Sequence, residues 1–126
     1  MDECFKTFLN GLGFVASTPD QQKEALPPFV NIADEVALAF DDVFTLSQQL
    51  YENKILSAKI MASLQELDRL FDAMLTEKKD WTFGCMLHSE KWEATRNIAK
   101  DILSELGIKE EPKAKNICGY YTWIKS

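Results

Sequence analysis

Apolar positions recur along most of this chain with the period of an α-helix, and polar breaks divide them into segments. Residues 3–12 hold Cys4, Phe5, Phe8, Leu9 and Leu12 and predict a short helix that Gly11 and Gly13 weaken and end. The run "STPDQQKEAL" then starts afresh. Thr18 is a good N-cap, Pro19 fits the first helical position, and Gln21 completes a capping box with Thr18. Pro27 and Pro28 stop that helix or turn the chain into the next.

From residue 29 to about residue 52, Ile32, Val36, Ala39, Phe40, Val43, Phe44, Leu46 and Leu50 form a stripe of i, i+3, i+4 steps, wide enough to bury one helix face. "YENK" breaks it, and Ser57 can cap the next helix. Ile60, Leu64, Leu67, Phe71 and Met74 make a heptad-like seam, widened by Met61, Leu70 and Leu75. "TEKKD" is a polar connector. Ser89 suits the N-cap of a further helix, with Glu90 in its first turn. Trp92, Thr95, Ala99, Ile102 and Leu106 carry its stripe, backed by Ile98 and Leu103, and Gly107 stands where a left-handed C-terminal cap belongs. Residues 109–115 are charged, contain Pro112, and read as a loop. Residues 116–124 are aromatic and β-branched, a short strand or an ordered tail. The pattern predicts an all-α fold: a single domain over 1–126, built as a compact helical bundle of three long and one or two short helices, with an aromatic C-terminal tail or short strand.

Composition changes this picture little. A length of 126 residues suits one core, and 46% apolar residues suit a folded globular chain. No apolar run approaches the ~20 residues of a membrane span. The start, "MDECFKTFLNGLG", carries acids where a signal peptide needs bases, so a cytoplasmic protein is expected. Cys4, Cys85 and Cys118 lack the spacing of a zinc or redox pair; an odd number of thiols suits a reducing compartment, and each is expected as a buried structural residue.

Charge changes it more. The net charge is −6 and uneven. Residues 1–53 carry nine acids against Lys6 and Lys23, a balance of −7, whereas residues 54–126 are close to neutral. Such a half repels phosphate backbones and attracts basic proteins, including those that bind nucleic acid. Asp34 and Asp41 lie seven residues apart, as do Glu35 and Asp42, so all four lie along one side of the predicted helix. No Lys or Arg follows them at i+4. They form either a solvated face or a patch that docks on a basic partner. Tyr120, Tyr121 and Trp123 are of the types that anchor interfaces, or they pack on the bundle and lock the chain end.

Catalytic chemistry finds little support. A single histidine, His88, excludes sites needing two, and Cys85 with His88 lacks further zinc ligands and an orienting third group. Glycine-rich phosphate loops are missing. No enzyme, metal or cofactor is expected.

Two segments carry a resemblance. "LQELDRLFDAML" is followed by a polar connector and then by "WTFGCMLHSEKWEATRNIAKDIL". The composite joins a Leu-x-x-Leu-Asp helix end, a Trp-Thr joint and a Ser-x-x-Trp-Glu-x-x-Arg start. Over roughly residues 56–106 it resembles small helical immunity proteins of bacterial polymorphic toxin systems, including contact-dependent growth inhibition. The shared residues read as scaffold: Trp81 and Trp92 would fix the helix joint, and Asp68 and Arg96 would pair across it. The resemblance implies a non-enzymatic protein that neutralises a cognate toxin domain, with a basic nuclease as the expected partner. Asp34, Glu35, Asp41 and Asp42 would then be its electrostatic patch and Tyr120, Tyr121 and Trp123 its anchors. A helical adaptor or regulator binding an endogenous host protein is the alternative.

Overall fold

The computed structural model describes residues 3–77, 81–108, 114–117 and 120–123, the last two segments by their backbone. The fold is a helical bundle. The helices are α1 (Glu3–Ala16), α2 (Pro19–Glu24), α3 (Ile32–Glu52), α4 (Ala58–Glu77), α5 (Phe83–His88) and α6 (Glu90–Glu105). Helices α1, α3, α4 and α6 form a closed ring in which each packs on two others: α1 on α3, α3 on α4, α4 on α6 and α6 on α1. The short helices α2 and α5 contact one another and α3. Two strands, β1 (Ala114–Ile117) and β2 (Tyr120–Trp123), pair antiparallel with Ala114 opposite Trp123 and Ile117 opposite Tyr120; the hairpin lies against α1 and α2.

The apolar stripes become the core. Val36, Ala39, Phe40, Val43 and Leu50 of α3, the α4 seam from Ile60 to Met74, and Trp92, Ala99 and Ile102 of α6 are all buried in one cluster. The signals at helix ends work as their chemistry requires. Thr18 and Gln21 form a reciprocal capping box, Ser57 Oγ accepts from the Ile60 amide, and Ser89 Oγ accepts from the Lys91 amide. Gly107 (φ +81°) ends α6: its amide donates to the Ser104 carbonyl and the Ile108 amide to that of Leu103, both bonds of a Schellman motif.

Four expectations need correction. Helix α1 runs through Gly11 and Gly13 to Ala16. Gly11 lies where a Cβ would come within 2.5 Å of Val43 Cγ2, so the missing side chain lets α1 approach α3. The free carbonyls at the end of α1 find buried donors: Ser17 Oγ donates to Gly13, and Gln22 Nε2 donates to Phe14 at 2.9 Å and Val15 at 3.3 Å. Second, the third segment starts at Ile32, with Asn31 as N-cap accepting from the Asp34 amide, and Phe29 stands outside the helix in solvent. Third, the Trp-Thr joint contains α5, capped by Thr82 Oγ1 accepting from the Cys85 amide. Leu75 is exposed and does not widen the α4 seam.

Candidate functional site: an acidic face on α3 and α4

The buried stripe of α3 fixes what its other side shows. With Val36, Phe40 and Val43 in the core, Asp34, Leu38, Asp41 and Asp42 are turned outward, and Glu35 is half-buried at the edge. Leu38 follows Asp34 by four residues and precedes Asp41 by three and Asp42 by four. It is thus a neighbour of all three on the helix surface.

Helix α4 adds acids that the periodicity of α3 could not reveal. The Asp68 carboxyl is pushed above the usual aspartate range, first by burial and then by the charges of Asp72 and Asp41. Asp68 therefore faces acids on its own helix and across on α3. Its expected ion pair with Arg96 is not formed. The Arg96 guanidinium donates instead to the Met86 carbonyl at 3.1 Å, in the last turn of α5, and burial holds its pKa below the usual arginine value. A half-buried cation thus satisfies a helix-end carbonyl. Among the described residues, Lys59 pairs with Glu105, Arg69 with Glu66 and Lys91 with Glu77. Asp34, Asp41, Asp42, Asp68 and Asp72 belong to none of these pairs.

An aromatic chain stiffens the ground beneath this face. Phe44 stacks on Phe40, Phe40 on Phe71 of α4 at 5.0 Å, and Phe71 meets the edge of Trp92 of α6 at 5.8 Å. Trp92 contacts Trp81 at 5.4 Å, so the two tryptophans meet across the joint. The Trp81 indole then donates to Asp34 Oδ1 at 2.5 Å, which returns the chain to α3. One of the four predicted patch acids therefore also has a structural task. At the neighbouring end, Lys23 of α2 lies over the Phe83 ring of α5, 5.1 Å from its centroid.

The remaining candidates are dispersed. Cys85 is half-buried and His88 exposed at the end of α5; Cys4 is also half-buried, so neither cysteine is a fully buried core residue. Cys118 lies outside the described residues. No group of three or more His, Cys, Asp or Glu that could hold a metal occurs among the described residues. Tyr120, Tyr121 and Trp123 belong to β2, and their side chains lie outside the described part. No described helix is long and apolar enough to cross a membrane.

Sequence reasoning missed Phe29 and Leu38 as well as Asp68 and Asp72. Leu38 carried a readable signal, an apolar residue on the polar side of an amphipathic helix. For Asp68 the sequence held only Asp72, four residues on along the same helix; Asp41 joins them only through the packing of α3 on α4. Fold and surface define the protein as an acidic helical bundle with a negative face on which Asp34, Asp41, Asp42, Asp68 and Asp72 belong to none of the ion pairs described. Compared with family models, curated proteins and solved structures, the chain matches none.

Proposed function

We propose that this protein is a non-enzymatic immunity protein of the cytoplasm that binds a basic bacterial toxin domain, a nuclease foremost, and covers its nucleic-acid groove. The observation that carries this reading is the gathering of like charges across α3 and α4. The charges of Asp72 and Asp41 oppose ionisation of Asp68, and none of the three belongs to the ion pairs described. A partner that supplies cations relieves that repulsion. A nuclease presents such cations because it must hold a phosphate backbone, and an acidic protein competes for the same groove. The resemblance of residues 56–106 to immunity proteins supports the same class. Charge speeds the encounter, and buried apolar contacts slow dissociation. Protection from a lethal enzyme requires a Kd of about 1 nM or tighter, about −12 kcal/mol.

The test is protection in cells. The protein encoded beside this gene is expressed from a titratable promoter, alone and with this protein. Growth arrest relieved in proportion to the amount of this protein is the expected result. Replacing Asp41, Asp42, Asp68 and Asp72 together by Asn should slow association and flatten its salt dependence, while Cys85→Ser should protect fully. No growth arrest by the neighbour, or arrest that this protein does not relieve, overturns the reading.

A further inference from the structure

Two large apolar side chains stand in solvent, one just before α3 and one on its acidic side. Phe29 is 87% exposed and Leu38 is 55% exposed. Burying such groups is favourable, so a partner that covers them gains affinity by doing so. Phe29 is held rather than trailing. Pro27 and Pro28 precede it and restrict the backbone. Leu26 on one side is buried, Val30 on the other packs against the core, and Asn31 caps α3 directly afterwards. An aromatic side chain fixed in this way loses little conformational freedom on binding. Leu38 lies on the same helix seven residues beyond that cap, about 10 Å along the axis. Both therefore fit within one ordinary protein interface, which buries roughly 800 Å² on each side.

Charge chooses the occupant. A second copy of this chain docked through the same face would bring one acidic patch against another, because a two-fold interface buries the same surface of both copies. A domain with a basic rim meets no such repulsion. We propose that Phe29 and Leu38 are the apolar anchors of a docking surface for a basic protein domain, with Asp34, Asp41 and Asp42 as its charged rim. This assignment rests on the toxin-binding reading and specifies which side chains hold the partner. It gives the two residue types separate work: the acids set the rate of encounter, and the anchors set the lifetime of the complex.

The experiment uses the full chain and, as probe, the purified protein encoded beside its gene. Association and dissociation rates are measured for the wild type, Phe29→Ala, Leu38→Ala and Tyr51→Ala. Tyr51 is a comparable control, 43% exposed at the far end of α3. Thermal melts confirm that each variant folds, which their exposure leads one to expect. Phe29→Ala and Leu38→Ala should each speed dissociation by about 30-fold, the effect of losing an interface anchor, with association within about two-fold of wild type. Tyr51→Ala should change neither rate. Wild-type binding with unchanged dissociation in both anchor variants overturns the assignment and leaves the toxin-binding reading standing. Absence of wild-type binding overturns both. A wild-type dimer in solution that Phe29→Ala dissolves also overturns it, in favour of a second copy.

Discussion

The indole of Trp81 donates a hydrogen bond to Asp34 Oδ1, 47 residues earlier in the chain, and so ties the segment after α4 to the first turn of α3. Trp81 is buried against Trp92, and its N–H finds its acceptor in this carboxylate. Asp34 thereby serves both the fold and the surface. Asp34→Ala should cost about 1–3 kcal/mol, because it strands a buried donor. Asp34→Asn keeps an oxygen acceptor and should cost less than half as much. Chemical denaturation separates the two; equal losses would mean that the bond contributes nothing.

Close packing of α1 on α3 makes a second prediction. Gly11→Ala should raise helix propensity by about 1 kcal/mol. The new methyl would nevertheless meet buried Val43 at 2.5 Å and lie 3.4 Å from the Ala39 carbonyl oxygen, so net destabilisation of about 1–3 kcal/mol is expected. Val43→Ala placed in the Gly11→Ala background should recover part of that loss. A double-mutant cycle with no coupling between the two sites would refute the account.

Lys54 is the one described residue other than glycine with a positive φ, +63°. It ends α3 as Gly107 ends α6: the Lys54 amide donates to the Tyr51 carbonyl and the Ile55 amide to that of Leu50. A side chain is disfavoured in this conformation. Lys54→Gly should therefore stabilise the protein by about 0.5–1 kcal/mol, seen as a higher Tm. An unchanged or lower Tm would show that the lysine side chain contributes more than the strain it causes.

Asp68 gives the fold a pH dependence of unusual sign for a carboxylate. Folding raises its pKa, first through burial and then through Asp72 and Asp41. The native state thus keeps a proton over a range where the unfolded chain has lost it. Ionised Asp68 opposes folding at neutral pH, and that cost is relieved as pH falls through the raised value toward the ordinary aspartate range. Asp68→Asn should stabilise the protein at pH 7, by about 0.5 kcal/mol or less because solvent screens the site, and the gain should shrink in mild acid. A variant as stable as wild type at both pH values would count against this cluster.

Much of the architecture was legible because local rules and tertiary packing agree. The α4 seam from Ile60 to Met74 needed no tertiary information, since a face with that period has only the core to enter. Thr18, Ser57, Ser89 and Gly107 mark helix ends through groups within a few residues of themselves. Where local rules misled, distant contacts decided. Gly11 and Gly13 lower helix propensity, yet α1 continues because α3 needs the space that Gly11 leaves. Between the polar connector and Ser89 the sequence marked only a Trp-Thr joint, but Thr82 caps a helix there and Arg96 of α6 satisfies one of its last carbonyls.

The candidate site divides in the same way. Its α3 acids follow from spacing alone, because seven residues are nearly two helical turns and the opposite stripe is apolar. Sequence could not reveal that Asp68 faces Asp41 instead of Arg96, that Asp34 holds Trp81, or that Phe29 stands in solvent. By itself, then, the sequence determined which residues form helices, which faces enter the core and that the N-terminal half is acidic, because periodicity, capping and charge are local properties. Only the tertiary structure decided that the acids of α4 join those of α3 and that Phe29 stands in solvent, because both depend on how segments far apart in the chain pack.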